Sequence, residues 1–439
     1  MKTYSFVDLF AGCGGLSLGL SLAGMRGRFA VERDPMAFET FAHNFLRLES
    51  PIRCFKWPAW LPKQAWDIDH LIARHKSDIR SLRGLVDVLA GGPPCQGFSF
   101  AGRRVADDPR NQLFKRYVEL VAELRPKALI VENVPGMRVA HGAQNVIGLR
   151  TQTKPAGPAC SFYDKLAASL SDLGYSVDSM LLDASRFGVP QKRSRLIVVG
   201  VRSDVAARLE GGARRVFEHV ELAREAQLRE LGLPQRVSAR EAISDLESGG
   251  RQLLVCGDPT SPAGFLEVSY NGPRTRFQTL MHKGHVGRMD SLRLARHRDD
   301  VRERFGRIIA ECRKGVRMDD ESRRAYGLKK HRIYPMAASD PAPTITTLPD
   351  DILHYSEPRI LTVRECARLQ SFPDWFEFRG KYTTGGMRRT SECPRYTQVG
   401  NAVPPYLARA IGVAVRQSLD EAATASLSGR RPASLAALA

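Results

Sequence analysis

One thiol held in a stiff turn is the sharpest chemical feature of the chain: Gly91-Gly92-Pro93-Pro94-Cys95-Gln96-Gly97-Phe98-Ser99. The apolar run before it, residues 85–90, reads as a buried strand ended by glycines. A side chain just beyond a strand end stands where open α/β sheets place their ligands and chemistry. Cys95 as a thiolate would be a strong nucleophile once its pKa is lowered or a proton acceptor is near. As a buried thiol it would be one more core residue. Two further groups bear on that choice. Glu132 follows the aliphatic run 128–131, where a carboxylate is costly to leave ionised unless paired, and a Glu with a raised pKa can donate a proton to a substrate. Arg193 and Arg195 alternate with Gln191 just before the strand 196–199, so on extended chain the three share a face. An arginine there could hold Glu132 or grip a substrate carbonyl bidentately.

A second constellation lies at the N-terminus. A strand over residues 4–10 meets the turn Ala11-Gly12-Cys13-Gly14-Gly15 and then a helix from Leu16. Glycines there let backbone approach a ligand closely. Glu32 ends the next apolar run, and an acid at that tip can accept hydrogen bonds from both ribose hydroxyls. G-x-G-G lacks the G-x-G-x-x-G spacing, and Phe10 sits where an aromatic ring could stack on a base or sugar. A nucleoside cofactor without a pyrophosphate therefore fits at least as well as a nicotinamide dinucleotide. Asp78 and Ile79, before the strand that carries Cys95, could meet an adenine through its amine and ring face, or form a plain helix-to-strand turn.

The elements that must position these groups are those of an α/β protein. Helices are expected over 112–124, 162–173 and, rich in Arg and Glu, within 205–231. Irregular basic sequence then runs to about 353, with a β segment at 342–348. Thr362 N-caps a further helix with Glu365 as its capping-box partner. A last helix opens after Gln398-Val399-Gly400-Asn401-Ala402-Val403 and runs to about 419. The Ala/Ser-rich tail 421–439 is expected to be disordered.

A chain of 439 residues can hold two domains. No run approaches the ~20 apolar residues of a membrane span, and no basic-plus-apolar leader pattern opens the chain. The eight cysteines are dispersed without a C-x-x-C pair, which argues against a zinc site or disulfide framework and for a reducing cytoplasm. The net charge is +19, from 66 basic and 47 acidic residues. Residues 274–332 alone carry 18 Lys and Arg against 8 Asp and Glu, a net of +10. That concentration points to a nucleic-acid partner.

Together the motifs resemble the DNA (cytosine-5)-methyltransferase family, in that family's order. Residues 6–15 are similar to its cofactor motif and residues 92–99 to its nucleophile motif. Glu132-Asn133-Val134 resembles E-N-V, and Gln191-x-Arg193-x-Arg195 resembles Q-x-R-x-R. Arg364-Glu365-x-Ala367-Arg368-Leu369-Gln370 and Gln398-x-Gly400-Asn401-Ala402-Val403 complete the set. The resemblance implies a doubly wound, Rossmann-like S-adenosylmethionine-dependent methyltransferase sheet with a smaller inserted target-recognition domain. Its parts would be 1–204 and 358–420 for the catalytic domain, 205–357 for the insert, and 421–439 for the tail. It further implies that Cys95 attacks C6 of a flipped cytosine, that Glu132 contacts N3 and the exocyclic amine, and that Arg195, supported by Arg193, binds O2. Cofactor contacts carried over are Phe10, Gly12, Gly14, Gly15, Glu32, Asp78, Ile79, Pro93, Leu113, Asn401 and Val403, with Gln96 and Ser99 toward DNA. The implied partners are S-adenosylmethionine and duplex DNA, with no metal. The implied setting is a cytoplasmic monomer with a cognate restriction endonuclease. A tRNA cytosine-5 methyltransferase, which shares P-C-Q and E-N-V, is the alternative; Gly97-Phe98-Ser99 and the long basic insert favour DNA.

Overall fold

The structure, a computed structural model, describes residues 2–52, 54–93, 113–139, 161–328, 332–384, 388 and 391–427. The aliphatic runs form one six-stranded sheet of β1 (Ser5–Leu9), β2 (Arg26–Val31), β3 (Val88–Gly91), β4 (Ala128–Asn133), β5 (Tyr175–Asp183) and β6 (Ser194–Arg202). Their spatial order is β2-β1-β3-β4-β6-β5. The first four are mutually parallel, and β6 runs antiparallel between β4 and β5. The chain leaves β1 on one side for β2 and returns on the other for β3, so the switch point lies between β1 and β3. That crevice, at the strands' C-terminal ends, is where such sheets bind ligands.

Helices α1 (Gly15–Leu22), α2 (Pro35–Phe45), α3 (Ile68–Ser81), α4 (Leu113–Leu124) and α5 (Phe162–Asp172) belong to the first half of the chain. After β6 come α6 (Ser203–Ala206), α7 (Arg214–Leu231), α8 (Ala239–Ile243), α9 (Arg276–His282), α10 (Asp299–Glu311) and α11 (Asp320–Ala325). The chain closes with α12 (Val363–Leu369), α13 (Arg395–Asn401) and α14 (Pro405–Leu427). Alternate strand residues face opposite layers. Phe6, Val88, Ala90, Ile130 and Ile197 pack with α1, α2, α7 and α14. Val7, Leu89, Leu129, Val131 and Val198 pack with α3, α4 and α5. Both faces are covered, so the sheet is doubly wound as expected. At Gly19 an added Cβ would lie 2.3 Å from the Ala408 Cβ, which shows how closely α14 is laid on α1.

Three expectations need correction. Val216, Phe217 and Val220 of α7 share the core of β1, as do Ala239 and Ala242 of α8 and Phe277 of α9, so no break between two cores falls at the expected boundary of residue 205. A separate small core of Phe305, Ile308, Met318, Ile333, Leu353 and Ile360 marks the insert. Helix α14 does not stop near 419: Glu421 pairs with Arg215 and His219 of α7, which holds residues 421–427 helical. Residues 342–348 form no strand. They lie extended beside the 190–193 loop, with one bridge between Gln191 and Ala342.

Buried arginines of α12 and α13 clamp residues 245–290 in place. Arg368 of α12 bonds Asp245 at 3.0 Å and Asp374 at 2.5 Å, and none of the three side chains is exposed. Arg364 pairs with Asp290, and Arg395 reaches Asp258 at 2.5 Å. Glu365 accepts both amino groups of Arg359 while serving as N3 of the capping box on Thr362. Removing one member of such a cluster strands the others without compensation. Arg368→Met is expected to lower stability by about 3–5 kcal/mol in chemical denaturation, far more than loss of the exposed Arg298–Asp300 pair.

Candidate active site

The turn after β1 is built from conformations that ordinary residues avoid. Phe10 has φ 60°, Gly12 φ 57° and Gly14 φ 99°. Space above Gly12 is open, whereas a side chain at Gly14 would strike Phe45 and one at Gly15 the Val403 carbonyl. Glu32, at the tip of β2, accepts the Gly12 N–H at 2.9 Å and the Asp34 N–H at 2.7 Å. Burial holds its carboxyl above the ordinary range, against those two donors. Beneath the turn, Cys13 is a core thiol pushed up to about 12 by burial.

Across the switch point, β3 and β4 present the second group. Asn133 Nδ2 donates to the Pro93 carbonyl at 3.1 Å, and a Cβ on Gly92 would lie 3.2 Å from Glu132 Oε2. The antiparallel register sets Ile197 opposite Glu132 and Leu196 opposite Asn133, which brings the start of β6 to the same edge. There Arg195 Nε meets Glu132 Oε1 at 2.7 Å, each side chain 12% exposed. The pair is thus partly desolvated yet open to a ligand. Cys95, Gln96 and Ser99 lie outside the described residues.

Other expected site residues divide. Asn401 is exposed at the end of α13, Val403 lies against Gly15, and Leu113 begins α4. Arg193 is placed elsewhere than expected: it is buried and donates to the Ile345 carbonyl at 2.9 Å and the Gly400 carbonyl at 2.8 Å. Its guanidinium is turned into the interior, where it joins two stretches of backbone. Asp78 and Ile79 are also misplaced for an adenine. They sit in the last turn of α3, Asp78 against His75 at 3.0 Å and Ile79 in the core. Eleven residues of helix, about 16 Å, separate them from the end near Glu32. The residues at that end are Asp67 and Ile68: the Trp66 N–H donates to the Glu32 carbonyl at 2.8 Å, and Asp67 N-caps α3. An acid preceding the helical apolar pattern of Ile68, Leu71 and Ile72 was the available sequence signal.

Residues 4–417 match the C-5 cytosine-specific DNA methylase family. The chain belongs to that family. It is 30% identical to the type II methyltransferase M.DdeI of Desulfomicrobium norvegicum, over 93% of this chain and 87% of that protein. The same identity to M.XorII of Xanthomonas oryzae pv. oryzae covers 94% and 84%, and to M1.HphI of Haemophilus parahaemolyticus 94% and 86%. The crystal structure of a prophage-encoded E. coli protein shares the fold, with a TM-score of 0.60 at 24% identity, covering 95% of this chain and all of that one. The enzyme is therefore a C5 cytosine DNA methyltransferase, and the tRNA alternative gives way. No described helix of the methylase is long and apolar enough to cross a membrane.

One buried acid of the methylase's cofactor motif has a consequence for stability. Asp8 accepts Ser17 Oγ at 2.6 Å, while its other oxygen is buried without a partner among the described residues. Burial raises its carboxyl to about 7. The native state thus keeps a proton that the unfolded chain releases near pH ~4. Stability from this group is present below that value and is lost as pH rises toward 7. Asp8→Asn is expected to flatten the fall in melting stability between pH 5 and 8 by on the order of 2–3 kcal/mol.

Proposed function

We propose that the methylase acts through Cys95, Glu132 and Arg195 on a cytosine flipped out of duplex DNA, with S-adenosylmethionine bound at the β1–β2 edge. The observation that carries this is the Glu132–Arg195 pair, at the same sheet edge as the glycine turn and two residues along the chain from Pro93 to Cys95. The donor set fits an adenosyl group. Glu32 offers a carboxylate to ribose hydroxyls, Asp67 one to an exocyclic amine, and Gly12 leaves open space beside it. Phe10, Gly14, Gly15, Ile68, Pro93, Leu113, Asn401 and Val403 complete the cradle. When bound, the cofactor supplies an electrophilic methyl group on a sulfonium.

The protein's own part follows from cytosine's chemistry. The ring is electron-deficient, so C5 is a poor nucleophile. Attack of the Cys95 thiolate on C6 breaks conjugation and makes C5 enamine-like. Glu132 as a neutral carboxyl gives its proton to N3 as sulfur adds at C6 and accepts the exocyclic amine's N–H, and Arg195 holds both Glu132 and the O2 carbonyl. After methylation a solvent water takes the C5 proton, the C–H electrons restore the C5–C6 double bond and expel Cys95 as its thiolate, and N3 returns its proton to Glu132. C6 is shielded in a stacked duplex, so the base must leave it. Gln96 and Ser99 are the candidates for contacts to the DNA beside the thiol. A monomer paired with a cognate endonuclease, as in restriction–modification, is the setting this implies.

Cys95→Ser is expected to abolish transfer from labelled S-adenosylmethionine to duplex DNA while cofactor affinity stays nearly unchanged; substantial residual turnover would overturn the nucleophile. Asp67→Ala should weaken cofactor binding about tenfold or more, the worth of one charge-assisted hydrogen bond. Asp78→Ala should leave it unaltered, as titration calorimetry would read.

A further inference from the structure

The hydrogen bonds around Glu32 reach further than the glycine turn. A carboxylate has about four lone-pair sites, and on Glu32 the Gly12 N–H takes one on Oε2 and the Asp34 N–H one on Oε1. One site is left on each oxygen, and a ribose has two hydroxyls to give. The carboxylate keeps that orientation only while both backbone donors hold their places. Gly12 is fixed by the turn after β1. Asp34 is fixed by its own side chain.

The two oxygens of Asp34 serve different partners. Oδ1 accepts the Ala37 N–H at 2.9 Å, which caps the start of α2. Oδ2 accepts the Cys393 N–H at 2.9 Å, from a residue 359 positions along the chain. A helix start needs the first bond and has no use for the second. Residue 393 is held on its other side too, since its carbonyl accepts Gln398 Nε2 at 2.9 Å. Gln398 Oε1 in turn accepts the Thr40 hydroxyl of α2 at 2.6 Å. The Cys393 thiol lies in the same place: burial first, then the nearby charges of Asp34 and Glu32, hold it well above its ordinary range. From Cys393 the chain runs through α13 to Asn401 and Val403, and Val403 lies against Gly15. Asp34 thus joins the acid of β2 to the far end of the chain, beside other residues of the cofactor cradle.

We propose, on the reading of Glu32 as the acid that meets the ribose, that Asp34 is a positioning residue for the cofactor. Through its bond to Cys393 it holds the 32–34 backbone so that Glu32 presents its two remaining lone pairs together. An acceptor already in place costs less to order when the ligand binds, and the saving is read as affinity. Asp34→Ser and Asp34→Asn separate the two bonds. Each new residue remains a good N-cap, but its single acceptor oxygen, held at Ala37, no longer spans to the Cys393 N–H. Titration calorimetry on the full-length protein compares S-adenosylhomocysteine with its counterpart lacking both ribose hydroxyls. Both variants should bind S-adenosylhomocysteine about fivefold more weakly than the native protein does, within the worth of one hydrogen bond. They should bind the counterpart as the native protein does, with thermal melts near native. Unaltered affinity for S-adenosylhomocysteine in both variants overturns the proposal. So does an equal loss with the two ligands, which would make Asp34 a brace of α2 alone. A native protein that does not prefer S-adenosylhomocysteine over the counterpart would instead strike the reading of Glu32, and this proposal with it.

Discussion

Burial of arginine side chains, each satisfied by carboxylates or carbonyls from distant chain segments, is the constraint on which the rest of the molecule depends. Arg364, Arg368 and Arg395 are almost without exposure, and their carboxylate partners Asp290, Asp245 and Asp258 lie far back along the chain, with Asp374 a nearer second partner of Arg368. A buried ion pair gains little over a well-packed apolar contact, but it tolerates only one geometry, because a slipped partner leaves an unpaired charge in the interior. The clamp therefore trades net stability for a fixed relation between residues 245–290 and the helices α12 and α13.

The same logic orders the catalytic edge. Parallel strands alone would deliver Glu32, Pro93 and Glu132 to one side of the sheet, but a following parallel strand would bring its own C-terminal end there. Because β6 runs antiparallel, it is its N-terminal end that arrives, and with it the alternating Gln191, Arg193 and Arg195. Arg195 reaches Glu132 at the open edge. Two residues earlier, Arg193 turns inward and ties Ile345 to Gly400, so that the closing motif lies beside the nucleotide-facing turn. One short stretch thereby does two things at once: Arg195 sets the charge environment of the Glu132 carboxylate, and Arg193 joins the backbone at 345 and 400.

Much of this was legible in the sequence because it is local. Strand runs ended by glycine or an acid, the capping box of Thr362 and Glu365, and the unusual turn Phe10–Gly15 each depend on neighbours in the chain. What failed depended on partners far away. Helix α7 reads as an Arg- and Glu-rich surface helix until its apolar stripe, Val216, Phe217 and Val220, is seen against α14. The tail after 419 looked disordered because nothing local says that Glu421 will meet Arg215 and His219. Asp67 and Asp78 both precede an isoleucine, and only the course of α3 shows which one ends beside β2.

The division of labour among the motif residues follows from the same contrast. Gln191 bridges Leu369 and Ile345, Gln370 holds the Val399 carbonyl, and Gln398 joins Thr40 to the 379 and 393 carbonyls, all of them buried. None can touch a substrate. They satisfy backbone groups where irregular chain crosses irregular chain, the places where no sheet or helix ladder is available to do so. A motif in this fold is therefore as much a record of buried junctions as of chemistry. The charged groups that the junctions leave at the edge of the sheet are Glu132 and Arg195, with Glu32 beside the glycine turn.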